Sequence, residues 1–353
     1  MKANKLNKTL GIIGGGQLGK MIGLAAANLG ISCYFYDADK NAPAKKISQL
    51  FFNYSFDNEK KLENFVKYCD FITYEFENIP IDTLQKISKY KKIFPGIKAL
   101  QISQDRLLEK NFIENLGIKV ADYKKINCFD DIKENLKKNF KTGILKTRKL
   151  GYDGKGQTII DLKSIDNIKL RIKPDIYILE KLISFKKEIS VIAIRKKNGE
   201  IKTFEPTQNL HKGGILRETI YPAQISKSCK LNAKKIAKKI TKELNIVGIL
   251  AIEMFVLKDD SILVNEIAPR PHNSGHWTID ACNISQFDAL VRSIFDIPIP
   301  KITYAKNCKM INLLGSNFKS YLKYLNKKNC TVHIYGKNKI KPARKMGHVN
   351  III

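Results

Sequence analysis

The stretch GILAIEMFVLKDDSILVNE, Gly248 to Glu266, reads as a β-hairpin. Two apolar runs flank Asp259-Asp260, residue types that favour a two-residue turn. With that pair at the centre, Phe255 faces Val264, Leu257 faces Ile262, and Glu253 faces Glu266. Two carboxylates directly opposed across a ladder repel each other. The pair makes sense if cations sit between them. Carboxylate and phosphate oxygens around a hard divalent ion suit magnesium, and manganese is also accommodated. Asn265, beside Glu266, adds a further oxygen. A different register would leave both glutamates in solvent.

Upstream, Leu145-Lys146 ends a strand, and Gly151-Tyr152-Asp153-Gly154-Lys155-Gly156-Gln157 follows. Three glycines in this span can make a flap whose N–H groups close on phosphates, with Lys146 and Lys155 as counter-charges. The same residues also suit an ordinary hairpin turn. Ile178 to Ile183, containing Glu180, Lys181 and Leu182, is a strand edge that could read an adenine or a core strand.

At the N-terminus, Leu10–Ile13 is a strand, Gly14-Gly15-Gly16-Gln17-Leu18-Gly19 a G-x-G-x-x-G loop, and Leu18 to Leu29 a helix stopped by Gly30. Ser32–Tyr36 is the next strand and ends at Asp37. This is the setting of a dinucleotide site, but the physical content is an anion held by backbone N–H groups at a helix N-terminus. A tight turn with no ligand is the simpler alternative. Phe71–Tyr74 is a further strand, and Ile81 to Tyr90 a helix, so the region is a parallel open sheet. Ser103 to Leu116 is expected as one helix capped by Ser103. Lys230 to Leu244 and Gln286 to Phe295 are also helical, and β-branched residues dominate from Lys309 to Ile353.

The chain has 353 residues and a formal net charge of +30. Eight arginines leave 55 of the 63 basic residues as lysine, spread along the whole chain. Nucleic-acid readers lean on arginine for bidentate contacts, so the charge reads as compositional drift and not as a nucleic-acid site. No apolar run approaches the roughly 20 residues of a membrane span. No signal peptide is expected, because the basic N-terminus runs directly into the glycine loop. Seven scattered cysteines without metal spacing suggest reduced thiols in a cytoplasm.

Taken in order, several stretches resemble the ATP-grasp superfamily and, within it, the carboxyaminoimidazole ribonucleotide synthases. They are the N-terminal glycine loop, Thr73-Tyr74-Glu75-Phe76-Glu77-Asn78, Asp105-Arg106, Gly151 to Gln157, Asn209-Leu210-His211, Asn265 to Thr278, and Arg344-Lys345-Met346-Gly347-His348. The resemblance implies an α/β ATP-grasp fold with a Rossmann-like pre-ATP-grasp domain at 1–100, an ATP-grasp domain at 101–298 with a flap about 120–185, and a small C-terminal β-rich domain at 299–353. It implies ATP as co-substrate, bound by Arg106, Lys146, Gly151, Tyr152, Asp153, Gly154, Lys155, Gly156, Gln157, Glu180, Lys181, Leu182, Ile183, Glu188, His211, Asn265 and Glu266. Glu253, Glu266 and Asn265 would hold Mg2+. Gly16, Gln17, Leu18, Glu75, Tyr152, Asp153, Arg344 and Lys345 would bind aminoimidazole ribonucleotide. Asp153, Lys155, Arg270, His272, Asn273 and Ser274 would handle bicarbonate, with Asp153 accepting the amine proton. Without the resemblance, His272 and His276 read more readily as core residues than as ligands, and Trp277 reads as packing.

The resemblance also suggests a homodimer in the cytoplasm. Related chains usually carry a further helix past the Gly347-His348 stretch; here Asn350 to Ile353 reads as a terminal strand. The rivals are a formate-using ribonucleotide transformylase of the same superfamily and a nicotinamide dehydrogenase. Arg270 to Ser274 argues against the first, and the acidic hairpin against the second.

Overall fold

The computed structural model describes residues 7–151, 154–165, 171–305 and 307–353. The N-terminal part is β1 (Thr9–Ile13), α1 (Gln17–Ala27), β2 (Ser32–Tyr36), β3 (Leu50–Phe52), α2 (Glu59–Lys67), β4 (Phe71–Tyr74), α3 (Ile81–Ser88), β5 (Ile93–Phe94) and α4 (Ile97–Ser103). Its parallel sheet has the order β3-β2-β1-β4-β5. The chain winds outward from β1 on one side and then returns to its other side, so a crevice opens at the carboxyl ends of β1 and β4. Ile13 pairs with both Tyr36 and Tyr74, which brings Gly14, Asp37 and Glu75 together just past the strand ends.

α5 (Arg106–Asn115) begins later than the sequence suggests. Ser103 ends α4, and its hydroxyl donates back to the Leu100 carbonyl. Asp105 is extended and caps α5 by accepting from Leu107 N–H at 3.0 Å. A carboxylate is the stronger cap because its charge also meets the positive end of the helix dipole.

β6 (Tyr123–Ile126), α6 (Phe129–Asn135), β7 (Thr142–Thr147), β8 (Gln157–Asp161) and β9 (Tyr177–Lys181) build a small antiparallel sheet in the order β6-β9-β7-β8. β9 therefore lies inside the sheet, paired on both sides, so of the two readings of this stretch the core strand is the one that forms over Tyr177–Lys181. Its Glu180 side chain points into a buried ion cluster.

The largest sheet contains β10 (Lys187–Arg195), β11 (Ile201–Thr203), β12 (Thr207–Lys212), β13 (Ile215–Tyr221), and, after α7 (Lys227–Glu243), β14 (Gly248–Val256) and β15 (Ile262–Ala268). Beyond α8 (Thr278–Ala281) and α9 (Gln286–Phe295), β16 (Cys308–Leu314), β17 (Cys330–Ile334) and β18 (Lys345–Ile352) join the same sheet. The order is β15-β14-β10-β12-β13-β16-β18-β17, with β11 on β10. The C-terminal strands thus continue the central sheet through the β13–β16 pairing, and the terminal strand expected at Asn350 to Ile353 forms as the end of β18. Leu18, Met21 and Ile22 of α1 share a buried core with Phe287, Leu290 and Ile294 of α9 and with Ile192, Ile249 and Ala251 of the sheet, which holds the N-terminal layer against the central one. Trp277 is packed as expected, stacked on Tyr221 at 4.3 Å.

Candidate active site

The β14–β15 hairpin brings Glu253 opposite Glu266, as expected, but by a different route. The turn holds three residues, Lys258 to Asp260, closed by Leu257 N–H donating to Ser261 O at 2.9 Å, with Asp260 left-handed at φ +62°. Near the turn Phe255 therefore faces Leu263, and Met254 faces Val264. A bulge at Asn265 absorbs the extra residue and restores the register, so that Glu253 faces Glu266. Two residues of the bulged strand oppose one on its partner. Asn265 and Glu266 thus both serve the cleft in front of Glu253.

Glu253 is buried, and its Oε1 has no hydrogen-bond partner among the described residues. Burial, reinforced by the charge of Glu266, pushes its carboxyl up to about 8. Glu109 on α5 lies behind the pair and is likewise pushed up to about 8, by burial and then by Glu266. Its Oε1 accepts from Ile267 N–H at 2.7 Å, which pins β15. No cluster of three or more His, Cys, Asp or Glu side chains forms a closed metal cage among the described residues. Two carboxylates and an amide oxygen fit magnesium, which keeps waters and takes its remaining ligands from substrate phosphates.

One face of α5 carries Arg106, Glu109 and Lys110, spaced three and four residues apart. Lys146 on β7 and Lys110 both reach Glu180 Oε2, at 2.9 Å and 3.2 Å. Burial alone would raise the Glu180 carboxyl, but Lys110 and Lys146 reverse that and hold it at about 2. Burial and the neighbouring cations Lys110 and Arg106 keep the Lys146 ammonium below its ordinary value, although Glu180 opposes them. An anionic ligand would relieve this crowding. Arg106 Nη1 lies 3.5 Å from Glu266. Arg148 reaches the Asp105 carboxylate with two nitrogens, at 3.1 Å and 2.7 Å. Across the cleft, Glu188 and His211 pair at 2.7 Å. Burial would lower the His211 imidazole, but Glu188 and nearby carboxylates raise it. Phe185 stacks on Phe255 at 4.7 Å, an apolar wall facing Ile144.

The glycine loop is filled by the protein itself. Gly15 N–H donates to Asp37 at 2.5 Å, and Gly16 and Gly19 N–H donate to the two oxygens of Glu75 at 2.7 Å each. The Gly15, Gly16 and Gly19 amides at the helix N-terminus thus have carboxylates of the chain itself as partners. A side chain at Gly16 would strike Glu75, and one at Gly19 would come within 2.5 Å of the Gly14 carbonyl. These glycines serve close packing of the carboxylate. Beside them, Arg270 Nη2 meets Glu77 at 2.7 Å.

Arg106, Lys146, Glu188, His211, Glu253, Asn265, Glu266 and Arg270 line one cleft of ≈ 560 Å³. Residues 7–104 match the ribonucleotide synthetase preATP-grasp domain, residues 111–287 the ATP-grasp domain, and residues 308–353 the phosphoribosylaminoimidazole carboxylase C-terminal domain. The chain is 39% identical over 353 residues to the N5-carboxyaminoimidazole ribonucleotide synthase of Brucella melitensis, across 99% of this chain and 97% of that one. The chain belongs to the N5-carboxyaminoimidazole ribonucleotide synthase family. A crystal structure of an ADP complex of N5-carboxyaminoimidazole ribonucleotide synthetase superposes with a TM-score of 0.91 at 39% identity, covering 98% of this chain and 92% of that one. The Aspergillus clavatus synthase in complex with ADP and 5-aminoimidazole ribonucleotide gives 0.89 at 29% identity, covering 99% and 94%. The synthase fold is thus an ATP-grasp fold with a pre-ATP-grasp domain before it and a β-rich C-terminal domain after it, and the chain is an ATP-dependent ligase.

In this synthase the cleft gathers Gln17, Leu18, Glu75, Arg106, Lys146, Gly151, Gly154, Gln157, Glu188, His211, Glu253, Asn265, Glu266, Arg270, His272, Asn273 and Lys345 from the residues the sequence singles out. Gly16, Lys155, Gly156, Glu180, Lys181, Leu182, Ile183, Ser274 and Arg344 do not line it. Tyr152 and Asp153 lie outside the described residues. Ser274 is fully buried beneath His272, and Arg344 donates to the Lys339 carbonyl at 3.0 Å. Sequence reasoning missed Glu77, Glu109, Arg148, Phe185 and Phe255 as cleft residues. Two of these had a local signal: Glu109 lies one helical turn from Arg106, and Phe255 is two strand positions from Glu253.

Two predictions follow from this geometry. Glu253 and Glu109 hold a proton in the fold where the unfolded chain, with ordinary carboxyls near 4.5, does not. Stability of the ligand-free protein therefore falls as pH rises toward and through about 8. Thermal melts from about pH 6 to 9 read this, and a flat or rising profile rejects it. Gly275, in the turn after His272, has no room for a methyl group: a Cβ there would meet Ile192 and come within 2.5 Å of Gln286 Oε1. Gly275→Ala is expected to cost about 1–3 kcal/mol by overpacking, measured by denaturant unfolding.

Proposed function

We propose that this chain carboxylates 5-aminoimidazole ribonucleotide with bicarbonate and ATP, giving 5-carboxyaminoimidazole ribonucleotide, ADP and phosphate, in purine biosynthesis in the cytoplasm. The carrying observation is one cleft in which the carboxylate pair Glu253/Glu266 and the cations Arg106 and Lys146 face Arg270, His272 and Asn273. The capped glycine loop supports this reading over a dinucleotide-dependent one, because Glu75 and Asp37 hold the amides a pyrophosphate would need.

A bicarbonate oxygen attacks the γ-phosphorus of ATP, the bond to the β-phosphate oxygen breaks, and ADP leaves. Arg106 and Lys146 orient the phosphates and offset the charge that spreads over them in the transition state. Glu253, Glu266 and Asn265 would hold magnesium, which neutralises phosphate charge when bound. Arg270 fixes the bicarbonate end, its guanidinium braced by Glu77 at 2.7 Å. The resulting carboxyphosphate splits into carbon dioxide and phosphate. The exocyclic amine then attacks that carbon, a C–N bond forms, and the amine proton leaves to Asp153. Gln17, Glu75 and Lys345 are proposed to hold the ribonucleotide. Closure of Gly151 to Gln157 keeps water from the intermediate. The active species is proposed to be a homodimer.

The test is phosphate release with ATP and magnesium, with and without bicarbonate and aminoimidazole ribonucleotide. Turnover that needs both is expected; turnover that needs formate instead, or oxidation of NADH, overturns the reading.

A further inference from the structure

We infer that three buried hydroxyls, those of Thr207, Ser190 and Ser274, form a one-way hydrogen-bond chain that sets His272 as the neutral imidazole with its proton on Nε2. Resting on the function proposed above, this makes His272 a hydrogen-bond donor to the bicarbonate-derived oxyanion and not a base.

The chain begins in the sheet. Ser190 on β10 pairs directly with Thr207 on β12 and with Glu253 on β14, so three polar side chains form a row on one face. Thr207 Oγ1 lies 3.0 Å from Ser190 Oγ, and Ser190 Oγ lies 2.8 Å from Ser274 Oγ. Ser274 Oγ is in turn 2.8 Å from His272 Nδ1. All three hydroxyls are buried, with exposures of 2%, 1% and 0% for Thr207, Ser190 and Ser274.

The direction follows from one contact. The Ser274 backbone N–H, which can only donate, points at His272 Nδ1 at 3.3 Å. Glu253 Oε1 lies 3.6 Å from the same nitrogen, beyond hydrogen-bond reach, so the Ser274 contacts decide: Nδ1 is an acceptor, and the ring proton of a neutral imidazole is on Nε2. Ser274 then spends its hydroxyl proton on Nδ1 and must accept from Ser190, which must accept from Thr207. Gln286 fixes the backbone from the other side: its Oε1 accepts from His272 N–H at 2.9 Å and its Nε2 donates to His272 O at 2.7 Å. Ser190, Thr207, Ser274 and Gln286 are positioning residues. His272 itself lines the cleft beside Arg270 and Asn273, with Nε2 the nitrogen left for a ligand.

The test is the nitrogen NMR spectrum of the full-length chain with labelled histidine, His272 being assigned by its loss in His272→Asn. A pyridine-type Nδ1 and a pyrrole-type Nε2 are expected near neutral pH. Ser190→Ala and Thr207→Val are expected to mix the tautomers and to lower kcat/KM for bicarbonate about tenfold, with KM for ATP unchanged. Thr207→Ser, which keeps the hydroxyl, restores the spectrum relative to Thr207→Val. A proton on Nδ1 or a charged ring in the unmodified protein overturns the inference, as does a Ser190→Ala spectrum identical to the parent. The spectrum needs no turnover, so absence of bicarbonate-dependent activity would count against the proposed function alone.

Discussion

Glu266→Gln is expected to lower bicarbonate-dependent ADP formation by about three orders of magnitude or more, roughly 4 kcal/mol of transition-state stabilisation. The substitution keeps the shape and removes one of the two carboxyl groups that face each other across β14 and β15. In the ligand-free fold burial and the Glu266 charge, which repels any charge on Glu253 or Glu109, push both of those carboxyls up to about 8. Removing it relieves that repulsion, although it also takes the Arg106 guanidinium's neighbour at 3.5 Å. The ligand-free protein is therefore expected to melt at the same temperature or higher while its chemistry fails. Loss of activity with retained stability separates a functional carboxylate from a structural one. Normal turnover in Glu266→Gln, measured by coupled ADP release, would remove the metal assignment.

Glu180→Gln is expected to have the opposite profile, a loss of about 3–5 kcal/mol of stability before any effect on catalysis can be read. Glu180 is 3% exposed and is the shared counter-charge of Lys110 and Lys146, which are 1% and 7% exposed. A glutamine leaves two buried ammonium groups facing a neutral amide. The pH dependence carries a definite sign. The Glu180 carboxyl is held at about 2, below its ordinary 4.5, so its stabilisation is fully present above 4.5 and is lost as pH falls from there toward 2. Acid unfolding of the parent should contain this component, and Glu180→Gln should lack it. Lys110→Met in the Glu180→Gln background should recover part of the loss, because it removes one of the two stranded charges. Equal unfolding curves for the parent and Glu180→Gln would show that the cluster contributes nothing.

The two residues also show how far the sequence could be read. The opposition of Glu253 and Glu266 was legible because a hairpin is local: once both apolar runs and the intervening turn are recognised, the pairing is nearly fixed. Even so, two local errors cancelled. The turn has three residues and not two, and the bulge at Asn265 supplies the compensating slip. Nothing in the apolar-polar pattern marks a bulge, because its cause is the fit of β15 against β14 and α5, where Glu109 grips Ile267. The burial of Glu180 was not legible because the strands beside β9 are β6 and β7, remote in sequence, and their presence turns an exposed edge into a buried centre. Ser274 was placed with bicarbonate by resemblance alone, and a turn there sends its hydroxyl down to Ser190, 84 positions away in the chain, a contact no local pattern marks.

The sequence by itself determined the elements and the chemistry on offer: the parallel N-terminal winding, the acidic hairpin, the glycine-rich link after Lys146, and the ordered stretches that carry the family resemblance. These are matters of periodicity, turn chemistry and residue type, each settled within a few neighbouring positions. Only the tertiary structure decided which groups already have partners. Glu75, 59 positions from Gly16 in the chain, closes the glycine loop that reads as an open anion site, and Glu180 is committed to two lysines. The physical reason is that a buried polar group must find its counterpart, and the packing of distant strands selects which one.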